Sequence, residues 1–254
     1  MPTIKLILDT RDAIQIQKTN SVTWSISDLT RDIRKPVNWI QFHSLEMPNL
    51  FYNIISSNNT ITWEVYSTDG TTLLRTDTAT IATGHYMNSE LITALKAAMD
   101  AEHADTYTIT ESSITNKLTL SNDGGFQLIF KFSVSTIGNV LGFTEDATKA
   151  DGITGNRPID LRGVTSMMIQ SNLANTNSLR ATGAGGSVNT FLADVKVTAP
   201  YGSTIFYHND NMLDVITVNR LPNTVTMELR NRNNVLLDNN DFNWRIAILV
   251  NYEG

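Results

Sequence analysis

Short segments in which apolar and polar residues alternate recur along this chain, and this feature restricts the possible fold more than any other. Val22, Trp24 and Ile26 alternate with polar neighbours, and the same period of two runs through residues 126–134 and 244–250. A period of two places successive side chains on opposite faces of a strand. Each such segment therefore predicts a β-strand with one buried face.

Turn signals separate these segments at intervals of roughly ten residues. Asp69-Gly70 predicts a hairpin, and the run at 122–125, Asn-Asp-Gly-Gly, predicts another tight turn. Two stretches rich in Gly, Asn and Thr, 146–157 and 175–189, predict long exposed loops. Without a repeat of fixed period or a series of crossover helices, the pattern favours an all-β sandwich or barrel over a propeller or a parallel sheet.

One segment departs from the strand pattern, because residues 84–99 predict an amphipathic helix. Leu91, Leu95, Ala98 and Met99 recur at helical spacing and form one apolar face. Asn88 is the expected N-cap, and the helix dipole favours an acidic residue in the first turn, where Glu90 would lie. The residues alone indicate only that this helix covers part of a sheet.

Composition excludes several classes of function. The formal net charge of -6 argues against nucleic acid as the main partner. The chain has no cysteine, so it has no disulfide framework and no thiol chemistry. Its first residues lack the apolar run of a secretory signal, and no apolar stretch approaches the roughly 20 residues that span a bilayer. We therefore expect a soluble protein with no membrane span.

No residue pattern in the sequence predicts a catalytic, cofactor or metal site. The four histidines, His43, His85, His103 and His208, lack ligand spacing. The oxygen-rich runs at 208–211 and 237–243 do not fit a calcium loop and more often form turns. The glycine-rich run at 182–188 lacks the ending of a phosphate loop. We predict no enzyme activity, no cofactor and no metal.

The four tryptophans all lie in alternating segments, and we interpret them as core or interface residues rather than a sugar-stacking platform. They are Trp24, Trp39, Trp63 and Trp244. The large loops and the surface of Asn, Thr and Ser are typical of a structural or binding protein. Composition and residue patterns alone do not identify the function more closely.

A resemblance to a known family rests on the order of several short motifs between about Ser44 and Val250. The motifs are SLEMPNLFYNI, GHYMNSELITALKAAM, NKLTLSNDGGFQLIF, VSTIGNVLGF, SNLANTNSLR, VTAPYGSTIFYHN and VLLDNNDFNWRIAILV. In this order they resemble the penton-type minor capsid proteins of virophages, polinton-like viruses and related DNA viruses with double jelly-roll capsids. The short N-terminus predicts no arm that reaches under neighbouring capsomers.

The resemblance implies a jelly-roll β-sandwich with one short helix in an elaborated connection, and a single capsid domain over residues 1–254. Within that domain, it implies that residues 84–146 are a helix-bearing elaboration or small insertion, which contains the sequence Leu-Gly-Phe at 141–143. It implies a homopentamer at the fivefold vertices of an icosahedral virion. The neighbours would be major capsid proteins, and a host-surface receptor is a further candidate partner. The loops 146–157 and 175–189 would make contacts between subunits or face outward.

Two other functions remain open at this stage. A carbohydrate-binding jelly roll or host-attachment module would use the tryptophans and the uncharged polar surface. A β-sandwich hydrolase has less support, because the sequence names neither a nucleophile nor an acid–base pair.

Overall fold

The computed structural model describes residues 2–16, 20–28, 36–174, 179–181, 188–211, 215–218 and 220–253. The chain divides into two compact units. The first unit contains residues 1–51 and 164–254, and the second, which we call the inserted unit, contains residues 52–163. The inserted unit includes residues 84–146. A single capsid domain over the whole chain stays a prediction.

The first unit is built from β-strands. The strands are β1 (Thr3–Asp9), β2 (Gln15–Ile16), β3 (Ser21–Ser25), β4 (Val37–Pro48), β11 (Ser166–Ser171), β12 (Leu179–Ala181), β13 (Val188–Thr190), β14 (Ala193–Lys196), β15 (Thr204–His208), β16 (Ile216–Thr217), β17 (Thr224–Arg230) and β18 (Arg245–Tyr252), with a short 3-10 turn at Thr10–Asp12. Strands β1, β18, β4 and β15 form one sheet in that order, with β16 also paired to β4. Strands β14, β11, β17, β3 and β2 form the other.

The antiparallel pairings are those of a jelly roll. Counting β1, β3, β4, β11, β14, β15, β17 and β18 as strands one to eight, strand one pairs with eight, two with seven, three with six and four with five. Strand eight also pairs with three, and strand four with seven, which joins the pairs into two four-stranded sheets. The prediction of an all-β jelly-roll sandwich is confirmed.

The two sheets of the first unit share one hydrophobic core. Side chains from both inner faces belong to it, among them Phe42, Leu45, Met167, Val225 and Ile248, and each of these is almost fully buried. Trp24 and Trp244 meet edge to face with ring centroids 5.7 Å apart. Burial of this kind stabilises the fold by roughly 25 cal/mol for each Å² of apolar surface removed from water.

The inserted unit contains two three-stranded sheets and two helices. Its strands are β5 (Thr60–Tyr66), β6 (Leu73–Thr80), β7 (Tyr107–Glu111), β8 (Leu118–Asn122), β9 (Gln127–Phe130) and β10 (Gly152–Thr154). Its helices are α1 (Asn88–Glu102) and α2 (Gly138–Leu141). The sheet orders are β6-β5-β9 and β10-β8-β7. The hairpin predicted at Asp69-Gly70 joins β5 to β6.

Helix α1 buries the face that the sequence predicts. Leu91, Leu95 and Met99 are fully buried in the core of the inserted unit. The predicted cap is wrong by one position, because the N-cap is Met87, whose backbone N–H donates to the Glu90 side chain at 2.9 Å. The side chain of Asn88 instead donates to Glu111 Oε1 at 2.6 Å.

The sequence Leu-Gly-Phe at 141–143 ends helix α2 in a Schellman motif. Gly142 has a φ of 82°, in the left-handed region, and its N–H points to the carbonyl of Asn139. The N–H of Phe143 donates to the carbonyl of Gly138 at 2.9 Å, which satisfies a second carbonyl at the helix end. The ring of Phe143 then stacks on Phe130 in the core.

A network of polar side chains joins the sheets of the inserted unit. The indole N–H of Trp63 donates to the hydroxyl of Tyr107 at 2.9 Å. Arg75 forms ion pairs with Asp77 and Asp105, and its guanidinium also reaches the Tyr107 hydroxyl. Strands β5, β6 and β7 and the connection after α1 are therefore held together around one buried tyrosine.

Two predictions about local structure in this unit are wrong. The alternation through residues 126–134 does not form one long strand, because β9 ends at Phe130 and the chain then turns. Val134 is 62% exposed. The stretch 146–157 is not an open loop, because it contains β10, which pairs with β8, and Ile153 is buried. No helix in the described part of the chain is long and apolar enough to cross a membrane.

Candidate assembly surface

The outward face of the sheet β1-β18-β4-β15 carries a groove. Alternation turns Ile4, Leu6 and Leu8 of β1 toward the core, so the residues between them face outward. A cavity of about 290 Å³ lies on this face. We call it the outer groove, and its lining residues are Lys5, Ile7, Ser44, Glu46, Phe206, His208, Arg245, Ile246 and Ala247.

Large apolar side chains stand on both sides of the outer groove. Ile7 on β1 is 56% exposed and Phe206 on β15 is 70% exposed. Between them the sheet carries small residues, because Ile7 is paired with Ala247 and Ala247 with Ser44. The groove therefore has a notch with two exposed apolar walls and a shallow floor, and polar or charged residues complete its lining. Exposed apolar side chains that lie together often mark an interaction site, which makes the notch a candidate for one.

The charged residues beside the notch are mostly paired with one another. Arg245 contacts Glu46 at 2.5 Å, and Arg11 contacts Asp9 at 2.5 Å next to a second cavity of about 300 Å³. The hydrogen bond from Arg11 lowers the pKa of Asp9 to about 2. Lys5 differs from these residues, because it has no ion pair or hydrogen bond with any residue that the structure describes.

Two histidines contact each other at the edge of the groove. The rings of His43 and His208 are 4.3 Å apart between centroids, and His208 Nε2 lies 3.0 Å from Asp210 Oδ1. His43 is the extra residue of a β-bulge in β4, since Phe42 and Ser44 pair with consecutive residues of β18. Burial lowers the pKa of His43, and the nearby charges of His208 and Lys5 lower it further.

The oxygen-rich runs form turns that use their own side chains. In the run 208–211, the amide of Asn209 donates to the carbonyl of Phe42, and the Asn211 N–H donates to Asn209 Oδ1 at 3.0 Å. In the run 237–243, Asn239 donates to the Phe242 carbonyl at 2.8 Å, and the Asn240 N–H donates to Asp238 Oδ1. Both the amide nitrogens and the oxygens of these side chains therefore bond to the backbone.

The remaining histidines lie apart from one another in the inserted unit. His103 Nδ1 is 3.9 Å from Asp105 Oδ1 at the end of α1, and His85 precedes the helix. In the described part of the chain, no three side chains of His, Asp or Glu are grouped so that they could hold a metal ion.

The tryptophans are core residues in three of four cases. Trp24, Trp63 and Trp244 are at most 2% exposed, and Trp39 on β4 is half-buried. The indole N–H groups of Trp24 and Trp63 are used inside the protein, by the carbonyl of Asp9 and the hydroxyl of Tyr107. Their faces are therefore closed to a sugar ring.

The two predicted contact loops differ in what the structure says about them. The stretch 146–157 is held by the ion pair of Asp146 with Lys131 at 2.7 Å and by a hydrogen bond from Lys149 to the carbonyl of Gly70. In the stretch 175–189, residues 175–178 and 182–187 lie outside the described residues. They include the glycine-rich run, and β12 pairs with β13 on either side of it. Contact of either loop with a neighbour stays a prediction.

Reasoning from the sequence missed the outer groove. The sequence indicates it only through apolar residues at the outward-facing positions of two strands, where polar residues are usual. Phe206 lies between Ile205 and Tyr207, which face the core, and Ile7 lies between Leu6 and Leu8. When every residue of a run is apolar, the sequence does not show which side chains face the core and which face outward. The two strands also become neighbours only in the folded sheet, so the sequence does not show that Ile7 and Phe206 lie on one surface.

Comparison with known proteins identifies a shared fold. No protein-family model matches the chain, and no curated protein matches it. Among solved structures, the crystal structure of the mavirus penton protein matches with a TM-score of 0.55 and 10% sequence identity, over 100% of both chains. The cryo-EM structure of the Sputnik virophage matches with a TM-score of 0.46 and 10% identity, over 98% of both chains. This chain therefore has the overall fold of the mavirus penton protein.

Proposed function

We propose that this protein is a penton-type minor capsid protein, which forms the fivefold vertices of an icosahedral virion. The observation that carries the proposal is the match to the mavirus penton protein over the full length of both chains. A match that extends through both the jelly roll and the inserted unit is a stronger argument than a shared jelly roll, because the jelly roll by itself serves many functions.

The proposed mechanism is assembly, not catalysis. Five copies would form a ring in which one surface of each subunit meets a different surface of the next, with a rotation of about 72° between subunits. The ring would contact the major capsid proteins around the vertex. The exposed side chains of Ile7 and Phe206 in the outer groove support an assembly role, because exposed apolar side chains that lie together often mark an interaction site. A host-surface receptor remains a further candidate partner.

The test is the oligomeric state of the purified chain together with its position in the virion. We expect native mass spectrometry to detect five copies, and a particle map to place them at the vertices. A chain that stays monomeric at all concentrations and lies on the capsid faces would contradict the proposal. A glycan array is the control for the carbohydrate-binding alternative, which requires a monomer that binds sugar.

A further inference from the structure

The outer groove has a complementary surface elsewhere on the same chain. We propose that, in the fivefold ring, the corner at Asp241–Phe242 of one subunit docks into the outer groove of the next. This inference rests on the proposed function, since it names the two surfaces that would close the ring. It also makes a separate claim, because a ring could form through other surfaces.

The groove presents one apolar site and one unpaired cation. Ile7 and Phe206 flank the notch over the floor of Ala247, and the cavity holds about 290 Å³. Lys5 precedes Ile7 by two residues on the same face of β1, and it also lines the groove. The acids of this face are already paired, Glu46 with Arg245 and Asp9 with Arg11. The groove therefore fits an apolar side chain that has a carboxylate beside it.

The corner before β18 carries that combination. Phe242 is 49% exposed, and the side chain of Asp241 forms no ion pair or hydrogen bond with a described residue. An aromatic side chain is the most effective anchor at protein interfaces, and an adjacent charge sets the register of the contact.

The corner is held rigidly before any contact forms. Asn240 and Asp241 have φ values of 54° and 59°, in the left-handed region that non-glycine residues rarely adopt. The Asn239 side chain donates to the carbonyl of Phe242 at 2.8 Å, and the Asn240 side chain donates to the carbonyl of Leu50. A fixed corner loses little conformational freedom on docking, which favours binding.

The experiment reverses charges at the two surfaces. We expect K5E and D241K each to weaken the pentamer about tenfold, measured by native mass spectrometry over a dilution series, because each places like charges together. The double variant K5E/D241K should recover most of the loss, since the pair is restored in reverse. Matched controls are K196E and D151K, which make the same charge changes at exposed sites on β14 and before β10.

A second pair of variants tests the apolar part of the contact. We expect F242A to weaken the pentamer, and I114A to leave it unchanged, although Ile114 is 92% exposed. Thermal unfolding of each variant without assembly checks that the subunit remains folded.

The outcomes separate this inference from the function on which it rests. Wild-type pentamers that are no more sensitive to K5E, D241K and F242A than to the controls would overturn the docking contact and leave the proposed function standing. Single variants that weaken the ring without recovery in the double variant would overturn the pairing of Lys5 with Asp241. A wild-type chain that forms dimers would overturn the ring contact, and a wild-type chain that stays monomeric would overturn the proposed function itself.

Discussion

Substitution of Gly142 by alanine tests the account of the helix end in the inserted unit. Gly142 has a φ of 82°, and a β-carbon there would overlap the backbone carbonyl oxygen of Arg157 and lie 3.0 Å from that of Pro158. The same segment after β10 donates its Arg157 N–H to the Gly142 carbonyl at 2.9 Å. The added methyl group therefore pushes directly on the backbone that Gly142 holds.

The magnitude follows from a comparison with Gly125→Ala. Gly125 has a φ of 74° and nothing within 4 Å of its ideal β-carbon, so alanine there pays only the left-handed conformation, about 1–2 kcal/mol. Gly142→Ala has the same conformational cost. It adds overpacking, about 1–3 kcal/mol, and a weakened hydrogen bond, about 0.5–1.5 kcal/mol. We therefore expect G142A to be about 1.5–4.5 kcal/mol less stable than G125A.

The assay is urea unfolding of both variants, with hydrogen exchange to locate the loss. Both substitutions reduce the freedom of the unfolded chain equally, so the difference between them isolates the native-state clash. We expect amides within 52–163 to lose protection in G142A. Equal unfolding free energies for the two alanine variants would refute the steric argument. The left-handed backbone conformation would then account for the whole loss of stability in G142A.

Further predictions concern the two cores and one carboxylate. Leu95→Ala should lower the unfolding free energy by about 2–5 kcal/mol in urea unfolding, because the fully buried side chain leaves a cavity, whereas Thr93→Ala on the exposed face should change it by about 0.5 kcal/mol or less. Trp244→Ala should cost about 3–5 kcal/mol in the same measurement, and a loss below 1 kcal/mol would contradict its place in the core. The folded pKa of Asp9, about 2, lies below its unfolded value of about 3.9, so its contribution to stability is present above pH 4 and is lost as pH falls toward 2. NMR titration should show this midpoint, and Arg11→Ala should raise it.

Local patterns in the sequence identify most elements of the fold, because a half-buried strand or helix face repeats within a few residues. Strand β18, helix α1 and the hairpin at Asp69-Gly70 follow from period and turn chemistry alone. The winding of the jelly roll does not follow from them. Its pairs join residues as distant as Thr3 and Asn251, and no local pattern states which strands become neighbours. The jelly roll was predicted from the resemblance, not from the pattern.

The failures at residues 126–134 and 146–157 have a common physical cause. The apolar–polar alternation of the sequence continues past Phe130, but the chain leaves the sheet there. Phe132 packs on Gly138 instead of on a strand, and Val134 faces solvent. In the stretch 146–157, polar and glycine residues favour a loop, yet the open edge of β8 supplies hydrogen bonds that make a strand of 152–154. Tertiary contacts decide both cases.

The position of the inserted unit explains how a jelly roll accommodates it. The insertion separates β4 from β11, which are consecutive strands of the jelly roll but belong to different sheets and do not pair with each other. The interruption therefore divides no hydrogen-bonded pair. Within the inserted unit the two ends of the chain meet, since Asn53 Nδ2 donates to the Leu161 carbonyl at 3.1 Å and Gly163 lies against Asn53. A unit whose ends already lie together adds little loop-closure entropy to the folding of its host. Each unit has its own hydrophobic core, as independent domains do. The outer groove is lined by residues of the jelly roll alone, so the insertion leaves the candidate assembly surface intact.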